Sequence, residues 1–248
     1  MLRIITLNLN YYVEKHGAWE MRKELILTEL EKSDPDIIAF QAVARHPILY
    51  GGKDQALQIA ASLKGYTFHT FHEAQSQPDG LQQGNAVISK LPVSEINSLS
   101  LSLFPDLSDD NNRIVQQITF DRSGKLLNFY NAHFSWVKAQ AIQNAEQATQ
   151  LIANQQPELA ILAGDLNTPP DSNVFESFNK AGFVDAWQML HGNKAGHTFE
   201  SDNPSSRIDY FWVSSSLTRL VRKVEVISSP PGDARLSDHL GVMIELDI

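Results

Sequence analysis

The sequence contains no cysteine, which excludes a disulfide framework, a thiolate zinc site and a cysteine nucleophile together. Redox compartment stays open, because a chain without thiols suits any. Basic residues are scarce as well: 20 Lys and Arg against 29 Asp and Glu give a formal charge of -9, a field that repels phosphate polyanions. A broad grip on bulk nucleic acid or anionic lipid is therefore disfavoured, although a local basic patch is still allowed. No apolar run approaches the roughly 18 residues that a membrane span requires. The opening "MLRIITLNLN" lacks the charged, apolar and small-residue regions of an export signal, and the expected location is cytoplasmic. A G-x-S-x-G elbow, a Walker A loop and a G-x-G-x-x-G turn are also missing.

What is present suffices for a large core. The chain has 248 residues and 42% hydrophobic content, a length at which roughly three quarters of the unfolded surface is buried. The expectation is a single domain over residues 1–248, acting as a monomer. "LRIITLNLN" reads as a half-buried strand, and the following segment carries Met21, Leu25, Ile26 and Leu30 at helical spacing. "PDIIAFQAV" is a short buried strand, and Ala56, Ile59, Ala60 and Leu63 stripe a second helix that Gly65 should stop. From Tyr66 to His133 five strand segments follow without a helix, which implies antiparallel pairing. The long helix "VKAQAIQNAEQATQLIANQ", the apolar strand "LAILAGD", the helix "SNVFESFNKAG" and three closing strands complete the chain. This order predicts an α/β (α+β) fold of two sheets face to face with helices outside.

Residues with chemical capability gather where apolar strands end, the usual place for a site. "NAHFSW" puts His133 after a strand, and "ILAGDLNTPP" puts Asp165 and Asn167 after another. "SSRIDYFWVS" starts a strand at Asp209, and "LSDHLGVMIEL" sets Asp238 and His239 before the last one. Each has a plain structural explanation by itself. "GDLNTPPD" is turn and helix-cap chemistry, Asp209 has Arg207 as a neighbouring ion-pair partner, and "SDH" suits a strand-capping loop. His16, His46, His69, His72, His191 and His197 read as satisfied or surface groups. In combination, however, Asp165, Asn167, Asp209, Asp238 and His239 supply what metal-assisted attack on a phosphoester needs. Those needs are hard oxygen ligands, a carboxylate to orient or deprotonate water, and donors for developing phosphoryl charge. An imidazole paired with a carboxylate is one such donor.

The segments "TLNLN", "PDIIAFQAV", "GNAVISKLP", "NAHF", "GDLNTPP", "SSRIDYFWVS" and "LSDHLGV" occur in that order, and over its whole length the chain resembles the endonuclease/exonuclease/phosphatase superfamily of DNase-I-like, metal-dependent phosphoesterases. The resemblance implies a four-layer αββα sandwich of two mixed β-sheets flanked by helices, and a Mg²⁺ or Mn²⁺ cofactor. It implies that Asn8 bonds the attacking side or a metal-bound oxygen and that His133 stabilises a phosphoryl oxygen or protonates the leaving group. By the same resemblance Asp165 orients or deprotonates the attacking water while Asn167 holds a phosphate oxygen. Asp238 serves the metal, and His239, paired with Asp209, faces the scissile phosphate. Arg113 is a candidate phosphate contact, with a solvated strand arginine as the alternative, and Asn85 supports the His133 side of the cleft.

One position departs from the pattern. Where the superfamily has a strand ending Gln-Glu-Val, with Glu as its principal magnesium ligand, this chain has Gln41, Ala42 and Val43. Losing even a partner of a ligand costs about 10 to 100-fold, so a missing carboxylate at position 42 predicts weakened or disabled hydrolysis. Gln41 is no substitute, since strand alternation points it to the opposite face. Either an active design has lost one ligand by engineering, or the chain is a natural non-catalytic member that binds phospho-ligands. Survival of every other position favours the former. Candidate substrates are small-molecule, lipid-headgroup or nucleotide phosphoesters; a nuclease acting on DNA or RNA is the alternative, disfavoured by charge. Tyr11, Tyr12, Trp136 and Phe199 flank the motifs as an aromatic wall or as rim packing.

Overall fold

The computed structural model describes residues 1–104, 108–122, 124–229 and 234–248. Among these the chain runs β1 (Leu2–Asn8), α1 (Trp19–Ser33), β2 (Ile37–Arg45), α2 (Gln55–Ala60), β3 (Phe68–Ser76), β4 (Gln82–Ser89), β5 (Val93–Ser100), β6 (Ile114–Arg122) and β7 (Lys125–His133). It continues through α3 (Lys138–Gln155), β8 (Leu159–Asp165), α4 (Glu176–Lys180), β9 (Phe183–Asp185), α5 (Ala186–His191), β10 (Asp209–Ser214), β11 (Val221–Ile227) and β12 (Gly241–Leu246).

The strands form two six-stranded sheets, ordered β11-β12-β1-β2-β4-β3 and β5-β6-β7-β8-β10-β9. Both are mixed, and for the same reason. A strand that must return parallel to its predecessor needs a long crossover, and α1 and α3 provide one in each sheet, making β1 parallel to β2 and β7 parallel to β8. The alternation of strand side chains sorts the apolar residues into three layers. Ile4, Phe129 and Ile161 meet between the sheets, Ile5, Phe40 and Ile88 pack under α1 and α2, and Tyr130, Leu162 and Trp212 pack under α3 and α4. The result is the four-layer sandwich expected from the sequence. No helix among the described residues is long and apolar enough to cross a membrane.

Three local expectations change. On α1 the buried stripe is Trp19, Arg22, Ile26, Leu27 and Leu30, while Met21 is exposed. Arg22 displaces it because the loop carbonyls of Leu9, Tyr11, Val13 and Leu236 need a donor there, and the guanidinium reaches all four. α2 ends at Ala60 rather than near Gly65, its start fixed by the Asp54 side chain accepting from Leu57 N–H. β9 and α5, too short for a periodic signal, are additional to the expected elements.

A polar layer interrupts the apolar core at one end. Asn131 on β7 donates through Nδ2 to the carbonyls of Phe40 and Ala86 in the opposite sheet, at 3.0 and 3.1 Å. Its Oδ1 accepts from Gln41 Nε2 at 2.7 Å, and Gln41 also donates to Thr6 Oγ1 at 2.9 Å. Buried amides are costly unless satisfied, so this network fixes how the sheets meet there.

Gly164 sets the position of the residue after it. With φ at +137°, a region L side chains avoid, a Cβ would also lie 1.9 Å from Ala132 O on β7. Gly164→Ala should therefore destabilise the fold by about 2 kcal/mol or more, read as a lower thermal midpoint; an unchanged midpoint would contradict this close approach.

Candidate active site

The two crossovers aim the C-terminal ends of their parallel strands at the same end of the sandwich, where loops of α/β proteins usually build sites. Asn8 is the last residue of β1, His133 of β7 and Asp165 of β8. β10 runs antiparallel to β8, so its first residue, Asp209, lies opposite Asp165, and His133 lies opposite Asp165 from the other side. His239 precedes β12, its ring 4.9 Å from that of Phe199.

Asp165 is the hub. Asn8 Nδ2 donates to its Oδ2 across the sheets at 2.8 Å, and the Asn167 N–H donates to its Oδ1 at 2.9 Å. Asn167 itself adopts a left-handed backbone, φ +50°, and its Nδ2 donates to Phe134 O at 3.0 Å. His239 Nδ1 bonds Asp209 Oδ2 at 2.9 Å, and its Nε2 lies 3.7 Å from Asp165 Oδ2. Arg207 pairs with Asp185 at 2.7 Å, which leaves Asp209 to His239 and settles its ion-pair alternative. Asn85 donates to the carbonyls of Ile114 and Asn131 at 3.3 and 3.2 Å beside His133.

Charge is ordered by these contacts. Burial disfavours the His239 cation, but Asp209 and Asp165 outweigh it and push its pKa up to about 10. Burial raises Asp165 to about 6, opposed by His239 and reinforced by Asp209, with Asn8 and the Asn167 N–H also favouring the anion. His133 is held well below the usual imidazole value by burial first, then by Arg113 and His239. Its Nε2, 3.4 Å from Asp165 Oδ2, thus makes no ion pair. Arg113 lies 2.8 Å away from the same nitrogen; a guanidinium only donates, so Nε2 accepts and the ring proton sits on Nδ1.

Arg113 is buried rather than a solvated strand residue. Its second terminal nitrogen bonds the buried Asp109 at 3.0 Å, and Asp109 also accepts from Ser135 Oγ at 2.6 Å. Sequence reasoning missed Asp109 and Ser135, as well as Arg22, whose contacts tie the loop after Asn8 to the segment before His239. The available signals were an acid four residues before Arg113 and a cation within an apolar helical stripe.

Ala42 interrupts β2 with φ +48°, at a bulge where pairing to β4 shifts between Phe40 and Val43. Its methyl lines a narrow cleft with Tyr11, Asn85, Arg113 and His133, which has room for one water-sized group. Gln41 points away between the sheets, as alternation predicts. A divalent cation fits this arrangement poorly. Asp165, Asp209 and His239 each offer one ligand atom within 4.8 Å of the others, so three groups capable of holding a metal do converge. Of the four carboxylate oxygens of Asp165 and Asp209, however, only Asp209 Oδ1 lacks a donor among the described residues. Asn8 Oδ1 already accepts from Asn10 N–H at 2.8 Å, and Asp238 accepts from Ser237 Oγ at 3.0 Å, outside the converging group. Magnesium prefers six oxygens near 2.1 Å and sheds water reluctantly. Beside Ala42 it would meet a methyl group and a guanidinium.

The profile of the Endonuclease/Exonuclease/phosphatase family matches residues 5–239. The chain belongs to this family. No match was found among functionally curated proteins. Solved structures similar to it include the family's member from Bacteroides vulgatus, 21% identical with a TM-score of 0.82 over 100% of this chain and 98% of that one. The mannosyl-6-phosphatase Bt3783 of Bacteroides thetaiotaomicron is 21% identical, TM-score 0.78, with 100% of both chains covered. The human Nocturnin catalytic domain with bound sulfate is 20% identical, TM-score 0.74, covering 99% of this chain and 93% of that one. Likeness at this identity establishes the family fold.

The charge order is open to measurement. In histidine-selective proton–nitrogen spectra at pH 7.5, His239 should be doubly protonated and remain so until about pH 10, while His133 should be neutral with its proton on Nδ1. A His239 signal titrating near pH 6.5 would refute it.

Proposed function

We propose that the chain is a phosphoester hydrolase of its family, weakened at the metal position by Ala42, and that residues 1–248 form one catalytic domain. The observation that carries this is the meeting of Asn8, Asp165, Asn167, Asp209 and His239 at one end of the sandwich, around a single carboxylate. Asp165, oriented by Asn8 and the Asn167 N–H, takes a proton from the attacking water. A base whose pKa is near 6 holds little charge below that value and accepts protons effectively just above it. His239, charged and fixed by Asp209, donates from Nε2 to a phosphoryl oxygen as negative charge grows there. Asn167, whose Nδ2 bonds Phe134 O at 3.0 Å, turns that donor to a second oxygen of the same phosphate when substrate binds. His133, with Nε2 bonded to Arg113, holds the guanidinium toward the phosphate.

In the family pattern Mg²⁺ or Mn²⁺ supplies charge neutralisation at the position that Ala42 leaves bare. The net charge of -9 favours small phosphoesters, whether sugar, nucleotide or lipid-headgroup, over duplex nucleic acid, and the phosphatase activity named for Bt3783 supports the same class.

Ala42→Glu tests the reading. Assayed with Mg²⁺ on a panel of phosphomonoesters and phosphodiesters, the variant should turn over at least one substrate at least about tenfold faster than the parent chain. Its rate should fall as pH drops through about 6, where Asp165 takes up a proton. No turnover on any substrate by a folded variant that binds Mg²⁺ would remove the hydrolase assignment. Steeply salt-dependent DNA binding would favour a nuclease instead.

A further inference from the structure

At position 42 the family places a carboxylate, whose task is to draw a cation toward the substrate. Here the charged side chain lining the same cleft is Arg113. Its guanidinium is anchored from behind by Asp109, which is fully buried, and from one side by His133 Nε2. Its third nitrogen, Nε–H, is buried and has no partner among the described residues. An orphaned cationic donor is costly in a native interior. Beside it, Ala42 leaves room for one water-sized group, too little for a hydrated magnesium ion but enough for a single phosphoryl oxygen. Tyr11, whose phenol feels both Arg113 and Asp165, forms another wall of the cleft.

We propose that this chain binds the phosphate of its substrate without a divalent cation, seating one non-bridging oxygen in the cleft opened by Ala42 and using the Arg113 guanidinium in the cation's place. This rests on the phosphoester reading and departs from it in cofactor. The electrostatics run in one direction: a buried guanidinium attracts an oxyanion and repels a second cation across the same few ångströms. A glutamate at 42 would fill the cleft and neutralise Arg113, so cation-dependent and cation-free binding exclude each other at this position. Ala42 and Arg113 thus act as one unit, in which the short side chain at 42 leaves the Arg113 Nε–H open to the ligand while Asp109 holds the other end of the guanidinium.

Calorimetric titration with inorganic phosphate in excess EDTA provides the test. The parent chain should bind phosphate, and saturating Mg²⁺ should change Kd by no more than about twofold. Arg113→Lys, which keeps the charge but loses the planar fork, and Ala42→Leu, which fills the cleft while leaving both Arg113 and Asp109 in the chain, should each weaken binding by about tenfold or more. Ala42→Glu should abolish binding in EDTA and restore it only with Mg²⁺. Thermal melts confirm that each variant is folded. Phosphate binding by the parent only in the presence of Mg²⁺, no binding in either condition, or an unchanged Kd in folded Ala42→Leu would overturn the proposal. These readouts need no turnover, so they fail separately from the hydrolase assay.

Discussion

Asn131 lies on β7 between the two sheets, and its amide joins them. Nδ2 donates to carbonyls of β2 and β4, Oδ1 accepts from Gln41, and Gln41 in turn reaches Thr6 on β1. A sandwich held by apolar contact alone would tolerate sliding of one sheet over the other, because dispersion and burial are weakly directional. Buried amides are not so tolerant, since each unpaired group costs about 1–3 kcal/mol. The network therefore fixes the sheets' separation and register at the end where the site lies. With Gln41 turned inward, Ala42 is turned to the cleft, and with the sheets fixed, Asn8 of one comes within 2.8 Å of Asp165 of the other.

The same geometry imposes an alternation of charge. Asp209, His239 and Asp165 form a carboxylate–imidazole–carboxylate row, in which the imidazole keeps its proton because two anions face it. On the far side of Asp165 the order reverses. His133 stays neutral because it is buried and Arg113 faces it, and Arg113 is balanced by Asp109. Two histidines about one carboxylate are thus held in opposite protonation states, one as a cationic donor and one as a neutral acceptor. Ala42 adds nothing to this row chemically, and its methyl lines the same cleft as Arg113.

Much of this was legible in the chain. Strand periodicity in β1, β2 and β8, the run of strands from Tyr66 to His133 and the two long helices pointed to two face-to-face sheets under helices, because alternation and helical spacing are local properties, while the mixed pairing came from the family resemblance. Asn8, His133, Asp165 and Asp209 stood at strand ends and His239 just ahead of one, and the fold brings these ends together. What stayed hidden was non-local. Arg22 carried no expectation, and Arg113 was either a phosphate contact or a solvated strand arginine; only the carbonyls, carboxylate and imidazole supplied by other segments explain their burial. β9 and α5 were too brief to carry a period. Arg207 stood two residues from Asp209 in sequence yet pairs with Asp185 at 2.7 Å, because it precedes β10 and the packing of β9 beside that strand brings Asp185 to it.

By itself the sequence determined the layers, the family and the identity of the residues at the strand ends, including the methyl group where an acid is expected. Each of these depends on side-chain chemistry and on spacing within one segment. The tertiary structure decided which imidazole is charged, which carboxylate is the hub and what faces Ala42. Those outcomes depend on distances of about 3 Å between groups up to 157 residues apart, and only the packed sheets bring such groups within reach of one another.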